Sequence, residues 1–588
     1  MSLSRLYTTP ISSSITSNNP LRSSTKITSC PSVHLSNRTH YISCEHNKQT
    51  SKEASDVTYN VLDRRNVLLG SGGLYGATGT AIGAPLSPPD STKCHKATDS
   101  DADPKEGDCC PPDYGKAKMV DFTPPSPNEP LRVRKAAHRY NSDDIVKFEA
   151  AIAKMKALPA NHPWNYYQQA NIHFTYCNGA FDQLNTKSLL QIHESWFFLP
   201  WHRYYIYFWE KILGKLIGDD TFSIPFWNWD NPKGMYIPRM YLNSKSHLFD
   251  ETRNRDHYKS VLDYKYSWGD PNPTDTNAVV TANLAELDSI FKETLQFPAL
   301  FMGKALRAGE NQTPAPGRCE SLHNVMHMWG GPPTPPYWNM GNFRTASRDT
   351  LFFGHHGNVD RMWDIYSTFR GQKVEFRDPD WLDSSFIFYD ENEQLVKCKV
   401  KDCLTPESLR YSYSPEPLPW KNIRRRYKKL RSAAKKRSEG DSLKLTPVFG
   451  YGSEPLTLTE PLRALVQRPK ISRSKDEKAD AVEVLVIDGI NVLSGSTARF
   501  DVYVTKPLEG LVGPDNGELA GSFVRIPNAH QKLSAGKDSS LELGISTLLE
   551  EIEAESSDEL VVSLIPRNGD IVIGGVRIEL FKVDDDEI

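Results

Sequence analysis

Apolar residues recur every three or four positions in three segments of the chain, which are 145–158, 200–218 and 349–369. This period predicts amphipathic α-helices. We expect Ser142 to cap the first helix and Pro200 to occupy the first helical position of the second. Long stretches rich in Pro, Gly, Asn and Asp, at about 228–278 and 308–343, predict surface or active-site loops between the helices.

The pattern changes near residue 480. Short β-rich runs follow, among them "AVEVLVIDGINVL", "ARFDVYVT" and "DIVIGGVRIELFKV", and Asn568-Gly569 predicts a hairpin turn. The predicted fold is therefore a mainly α domain, residues 84–415, a helical bundle with long loops, followed by a C-terminal β-sandwich, residues 481–588. Residues 416–480 between them are predicted to be a basic, protease-sensitive linker, although their basic run could also bind a polyanion.

The first 83 residues predict a removable leader. Residues 1–60 are rich in Ser and Thr and have no acidic residue before Glu45, which is typical of a plastid transit peptide. A twin arginine at 64–65 and a Gly-rich, weakly apolar segment follow. They favour a thylakoid-transfer signal over a stable membrane span and predict a mature chain that begins near Ala84 in the thylakoid lumen, with the vacuole as the alternative.

The composition limits the classes of macromolecule that we expect this chain to bind. The formal net charge is −3 with 24% charged residues, so nothing global favours nucleic acid or a strongly acidic partner. The sequence does not indicate the oligomeric state.

Cys94, Cys109 and Cys110 lie close together in an N-terminal arm with little predicted structure, and an oxidising destination would permit disulfides there. The spacing does not reveal which cysteines pair.

Seven histidines fall in three apolar neighbourhoods, at positions 173, 193, 202, 323, 327, 355 and 356. Burying so many polar rings is costly unless each is satisfied. His323 and His327 are four residues apart, on one face of a helix. Pro200 separates His193 from His202, so both can face one point. His355 and His356 differ by about 100° around a helix, so only one is expected to face a given ion.

The donor set selects the metal. No Asp or Glu recurs at ligand spacing beside these histidines, which disfavours magnesium, calcium and carboxylate iron sites. No CxxC pair predicts structural zinc. Six neutral nitrogens in two sets of three suit two copper ions that bind dioxygen between them.

The motifs "HFTYCNGAF", "HESWFFLPWHRYYIYFWE", "HNVMHMW" and "HHGNVDRMW" strongly resemble the copper-binding regions of plant polyphenol oxidases, the catechol oxidase and tyrosinase group of type-3 copper proteins. The motifs "DPDWLDSSFIFYDEN", "ARFDVYV" and "AGSFVRIP" match that family too, so the resemblance covers essentially the whole chain.

The resemblance implies a ligand set. His173, His193 and His202 would bind the first copper, and His323, His327 and His356 the second. Cys177 matches the cysteine that forms a thioether with the second ligand of the first site, here His193. Phe343 matches the aromatic gate that the family places over the substrate pocket, which we assign to the second copper.

The implied reaction oxidises o-diphenols to o-quinones with O₂. Hydroxylation of monophenols is associated in the family with a Glu that holds a water and with an Asn, here Asn324. The Glu usually stands four residues before the first ligand of the second site; here Cys319 stands there and Glu320 follows, which makes the role of Glu320 an open question. Phe174 replaces the expected partner of Cys110, which leaves Cys319 or a free thiol as its alternatives.

The resemblance also implies that the C-terminal domain covers the site in a latent precursor until it is cleaved or displaced. Three alternatives remain at this point. A specialised enzyme would act on one flavonoid or lignan, a dioxygen carrier would bind O₂ without turnover, and a dizinc hydrolase would hold zinc instead of copper.

Overall fold

A computed structural model describes residues 83–94, 110, 119–177, 179–371, 374–423, 454–492, 497–507, 518–527 and 538–586. All of them belong to one compact unit, Thr78–Ile588. The predicted leader up to residue 82, Cys109 and most of the basic run lie outside the described residues. Among the described residues, no helix combines the length and the apolar character that crossing a bilayer requires.

The N-terminal part of the described chain is mainly helical, as predicted. Its helices are α1 (Ser142–Ala157), α2 (Tyr166–Cys177), α3 (Phe198–Ile217), α4 (Thr276–Thr294), α5 (Ala299–Met302), α6 (Arg318–Gly330), α7 (Leu351–Ser367) and α8 (Pro379–Asp383). Short strands accompany them, namely β1 (Met119–Asp121), β2 (Arg132–Arg134), β3 (Ser385–Tyr389), β4 (Leu395–Lys399) and β5 (Tyr411–Tyr413). Strand β4 pairs with β1 in parallel and with β3 antiparallel, and β2 pairs with β5.

Two predicted helix starts were wrong by one or two residues. Asn141, not Ser142, caps α1, because its side chain accepts from the Asp144 amide while Asp144 reaches back in a capping box. Helix α3 begins at Phe198, so Pro200 lies in its first turn, where the missing amide hydrogen costs nothing. The helix ends at Gly218, whose φ of 70° suits a residue without a Cβ.

Buried charges set the relative positions of α3 and α7. Glu210 on α3 accepts hydrogen bonds from Arg132 and Arg134, each at 2.8 Å. Asp360 on α7 accepts from Arg203 of α3 and from the Tyr411 hydroxyl. Buried ion pairs require well-matched geometry, so this network constrains the register of the two helices.

The C-terminal part is the predicted β domain. Its elements are β6 (Leu456–Thr457), β7 (Leu462–Gln467), α9 (Lys475–Asp480), β8 (Ala481–Val492), β9 (Ala498–Thr505), β10 (Glu518–Arg525), β11 (Ser539–Gly544), α10 (Ser546–Glu551), β12 (Glu559–Asn568), β13 (Ile571–Ile573) and β14 (Gly575–Lys582). One sheet has the strand order β10-β9-β12-β7; the other has the order β11-β8-β13-β6, with β14 beside β8. Their facing side chains form one apolar core.

The predicted domain boundaries were wrong at both ends of the linker. Strand β7 pairs with β12 inside the C-terminal sheet, so that domain begins before residue 481. On the other side, Trp420 is fully buried against the helical domain, and its indole donates to Asp230, so that domain extends beyond residue 415. The hairpin at Asn568-Gly569 is confirmed by β12 and β13, with Gly569 at a φ of 84°.

Candidate metal centre

Two groups of buried histidines lie in the helical domain. The first consists of His173, His193 and His202, and the second of His323, His327, His355 and His356. Within each group, one ring nitrogen of every member lies within 4.8 Å of the others. The structure therefore places the six predicted ligands in the two predicted sets of three, and His355 joins the second group.

Helices supply two members of the first group. His173 lies on α2 and His202 lies in the first turns of α3. His193 lies in the turn before α3, which confirms that the chain bends between it and His202. The rings of His193 and His202 have centroids 5.0 Å apart.

The second group is built on α6 and α7. His323 and His327 are four residues apart on α6, and His355 and His356 lie on α7. The Nδ1–H of His327 donates to the Met340 carbonyl at 2.8 Å, and the Nδ1–H of His323 donates to Asn324 Oδ1 at 3.1 Å. Each ring therefore has an unprotonated Nε2.

These Nε2 atoms face one another. The Nε2 of His323 lies 2.8 Å from that of His327 and 3.1 Å from that of His356. Two lone pairs at such distances repel unless a cation lies between them. Two nitrogens bound to one ion at about 2.0 Å are about 2.8–3.3 Å apart when the angle between them is about 90–110°. The spacing thus fits shared coordination of one metal ion.

His355 differs from its neighbour. Its Nδ1 lies 3.2 Å from Nε1 of Trp229, and because an indole nitrogen only donates, Nδ1 must accept. A neutral His355 then carries its proton on Nε2 and has no lone pair left for a metal. This hydrogen bond supports the prediction that His356, not His355, is the ligand.

Burial keeps the histidines neutral. It lowers the pKa of all seven, to about 3 for His202 and about 4 for His327. In the first group, the Nδ1–H of His202 donates to the Phe198 carbonyl, which leaves its Nε2 free for a ligand. Neutral imidazoles with orphaned lone pairs, and with no carboxylate or thiolate in either group, fit copper.

Phe343 is close to both groups, but the sequence prediction put it over the wrong one. Its ring stacks on His193 with a centroid distance of 4.2 Å, whereas the centroids of His323 and His327 are 6.2 and 6.0 Å away. The ring thus covers the first group more closely than the second. Phe343 is closer to the first group than predicted because His193 lies in a turn that approaches the Phe343 loop.

Cys177 is the last residue of α2 and is buried as a free thiol. The Gln191 side chain donates to the Cys177 carbonyl at 2.9 Å and accepts from the His193 amide at 3.0 Å. This single bridge ties the predicted thioether partners to each other. The thioether itself remains a prediction.

Glu320 is fully buried, and both its carboxylate oxygens accept from the Glu194 amide, at 2.8 and 2.9 Å. Burial raises its pKa well above the ordinary value. Its hydrogen bond runs to the residue after His193, in the loop of the first group. Asn324 lies beside the second group, as expected, with Oδ1 on His323.

In the described part of the N-terminal arm, a disulfide joins Cys94 to Cys110. The alternatives named for Cys110, Cys319 or a free thiol, were therefore wrong. Cys319 lies buried on α6 as a free thiol. Cys94 packs against Phe174, the residue that replaces the expected cysteine.

Two residues of the C-terminal domain reach the centre, and sequence reasoning missed both. The Val524 carbonyl on β10 accepts from Asn324 Nδ2 at 2.8 Å, and Arg525 Nε lies 3.6 Å from the Glu194 carboxylate. Val524 and Ile526 pack into the apolar core of the helical domain. The motif "AGSFVRIP" contains these residues, but its pattern indicates only a strand.

Three family models match this chain. The common central domain of tyrosinase matches residues 163–368, the polyphenol oxidase middle domain 375–426, and the chloroplastic polyphenol oxidase C-terminal domain 454–580. The last match begins two residues before β6, the first strand of the β domain among the described residues.

Alignments with known relatives cover nearly the whole chain. Chloroplastic polyphenol oxidases of Vitis vinifera and Malus domestica are each 42% identical; the first alignment covers 91% of this chain and 90% of the relative, the second 92% of each. Latent apple tyrosinase is 41% identical with a TM-score of 0.72, over 79% of this chain and all of the other. Latent aurone synthase is 34% identical with a TM-score of 0.75, over 85% and 99%.

Proposed function

Since this chain belongs to the plant polyphenol oxidases of the tyrosinase family, oxidoreductases built on a dicopper site, we propose that six of its histidines carry the oxidation of o-diphenols. His173, His193 and His202 hold one copper, and His323, His327 and His356 hold the other. The observation that carries this assignment is the approach of the unprotonated Nε2 atoms of His323 and His327 to 2.8 Å. Two o-diphenols yield two o-quinones as one O₂ is reduced to two waters.

When bound, the copper pair supplies dioxygen binding and the electron transfer that imidazoles lack. The protein supplies positioning. Carbonyls of Phe198 and Met340 fix the rings of His202 and His327 through their Nδ1–H groups. Asn324 does the same for His323. Phe343 and the surrounding aromatic core exclude water and offer a face against which a phenol ring packs.

The C-terminal domain acts as a shield in a latent form. The hydrogen bond from Asn324 to Val524 and the packing of Val524 into the helical core support this role. Both solved relatives named above are described as latent. A tethered domain has a high local concentration, so it stays docked until the connection is cut or the contact is weakened.

Substrate scope follows from Glu320. Both its oxygens accept from the Glu194 amide, and among the described residues no hydrogen bond joins them to Asn324, the residue that the resemblance pairs with this Glu in monophenol hydroxylation. We therefore expect o-diphenols to be oxidised faster than matched monophenols. A relative named aurone synthase keeps a specialised phenolic substrate as the second candidate, and a flavonoid added as a third substrate in the oxygen assay below compares it directly.

The chain is a plastid protein, like its chloroplastic relatives. We place the mature form in the thylakoid lumen, because the twin arginine at 64–65 and the weakly apolar segment after it favour a second-stage signal. Import of the labelled precursor into isolated plastids, followed by fractionation, tests this placement against a vacuolar one.

Oxygen uptake tests the proposed reaction. The copper-loaded full chain is compared with the same protein nicked by limited proteolysis between residues 424 and 453, using catechol and phenol in parallel. We expect two coppers per chain, catechol oxidation that rises after nicking, and slower turnover of phenol. Two bound coppers without oxidation of either substrate would contradict the enzymatic function and favour a dioxygen carrier; zinc retention without copper would favour a hydrolase.

A further inference from the structure

His193 is held differently from the other proposed ligands. The other five lie on helices α2, α3, α6 and α7, whereas His193 lies in a turn. Neither of its ring nitrogens has a hydrogen-bond partner among the described residues. By contrast, ring N–H groups anchor His202 and His327 to carbonyls. Apart from the predicted thioether with Cys177, the direction of the His193 ring therefore depends on its main chain and on the stacked ring of Phe343.

Gln191 fixes the amide of His193. Its Oε1 accepts from the amides of Ile192 and His193, at 2.9 and 3.0 Å, and its Nε2 donates to the Cys177 carbonyl at 2.9 Å. The Gln191 side chain is buried. One glutamine thus joins the turn to the end of α2, the helix that carries His173.

Glu320 fixes the next peptide unit. Both its oxygens accept from the Glu194 amide, and Glu194 has a φ of 58°, a left-handed conformation that is uncommon for a residue other than glycine. Such a conformation persists where the surroundings hold it. The carboxylate comes from α6, the helix that carries His323 and His327.

Gln312 completes the arrangement from the opposite side. Its Nε2 donates to the His193 carbonyl, while the Glu194 carbonyl accepts from the Ala315 amide at 3.1 Å. The peptide groups on both sides of His193 are therefore bonded to side chains, the amide to Gln191 of the same turn and the carbonyl to Gln312 of a distant segment. These contacts substitute for the main-chain hydrogen bonds that a helix would provide.

We propose that Gln191, Gln312 and Glu320 form a polar cradle that positions His193 as a copper ligand. Glu320 is then a positioning residue of the first copper site, and not the water-holding group of the second. The inference rests on the proposed ligand set. Outer groups that orient metal ligands typically change metal affinity or activity by roughly 10–100-fold when they are removed.

The experiment measures copper retention in the full-length protein. Glu320→Ala and Gln312→Ala remove two arms of the cradle, and Glu320→Gln keeps an oxygen acceptor for the Glu194 amide. Gln183→Ala is the matched control, because Gln183 is a buried glutamine that accepts from Gly309 and donates to Glu310 and Leu189, but bonds to neither of the peptide groups that flank His193. Gln312 is only half-buried, so its variant remains informative if Glu320→Ala does not fold.

Each protein is loaded with copper and titrated with a chelator. We expect the two alanine variants to lose one copper per chain at roughly 10–100-fold lower chelator activity than the parent, and Glu320→Gln and Gln183→Ala to behave like the parent. The half-loaded variants should show the paramagnetic resonance signal of an isolated Cu(II), which a coupled pair lacks.

Two results would overturn the cradle. One is parent-like retention of both coppers in Glu320→Ala and Gln312→Ala. The other is a Glu320→Gln variant that keeps both coppers but changes the ratio of monophenol to diphenol turnover, which would make Glu320 catalytic. Failure of the parent protein to bind two coppers would instead contradict the proposed function, so the two failures are distinguishable.

Discussion

The side-chain amide of Asn324 donates to the main-chain carbonyl of Val524 across 2.8 Å, and its oxygen accepts from His323. One amide thus contacts a proposed copper ligand and the C-terminal strand β10 at the same time. Because the donor is bound to Val524, the oxygen must face His323, and this leaves His323 Nε2 unprotonated. Docking of the C-terminal domain and the protonation of the site are therefore linked through a single side chain.

Removing the Arg525 guanidinium should relieve latency without cleavage. Arg525 Nε lies 3.6 Å from the Glu194 carboxylate in a buried pair, and loss of one partner leaves an uncompensated charge that favours separation of the domains. We expect uncleaved Arg525→Ala to oxidise catechol faster than the parent, by about tenfold for each 1.4 kcal/mol lost from docking.

The matched control for that variant is Arg577→Ala, which breaks ion pairs to Asp488 and Glu579 inside the C-terminal domain. Its uncleaved activity should stay close to that of the parent. Equal activities of the two variants before proteolysis would show that the Arg525 pair does not contribute to docking.

Substitution should distinguish the roles of the two adjacent histidines of α7, of which we expect only His356 to bind copper. His356→Gln is expected to lower the copper content from two ions per chain to one, because it removes a ligand nitrogen. His355→Gln should retain both, because Nδ1 of His355 only accepts from Trp229. Metal analysis after dialysis checks the result, and the opposite pattern would reassign the ligand.

The metal-free protein should lose stability as the pH falls below about 6.5. The pKa of His327 is lowered to about 4 in the folded state, so between those values the unfolded chain binds more protons and acid favours unfolding. Each such histidine contributes at most about 1.4 kcal/mol per pH unit. We therefore expect His327→Asn, which keeps a donor for the Met340 carbonyl, to have a shallower dependence of the unfolding free energy on pH.

Urea unfolding at several pH values between about 4.5 and 7 measures this slope. His247→Asn, the same substitution at an exposed histidine, is the matched control. A slope for His327→Asn that equals the slope for the parent and the control would refute the argument.

Asp364 should destabilise the protein at neutral pH. Burial raises its pKa to about 6, above an ordinary value of 3.8, so its stabilising proton is present below pH 3.8 and is lost as the pH rises through 6. We expect Asp364→Asn to raise the free energy of unfolding by about 1–3 kcal/mol above pH 7 and to have a smaller effect near pH 4. Asp220→Asn, at an exposed position, is the control for chemical denaturation at both pH values.

Local patterns in the chain were enough to predict the helices and the histidines. A period of three to four residues predicted α1, α3 and α7, and the spacing of His323 and His327 predicted their shared face. These predictions held because helix geometry and the chemistry of imidazole act over a few neighbouring residues. The start of the β domain could also have been predicted from sequence, since four of the six residues of β7 are apolar, but the adjoining charged segment hid it.

Contacts between segments that are distant in sequence decided how the site is supported and covered. Glu320 binds the Glu194 amide 126 positions away, and Val524 reaches Asn324 across 200 positions. Phe343 stacks on His193 because two loops meet. Sequence by itself determined which residues could bind copper, since that depends on side-chain type and local period. Only the tertiary structure decided what holds His193 and what covers the site, because those contacts exist only once the chain has packed.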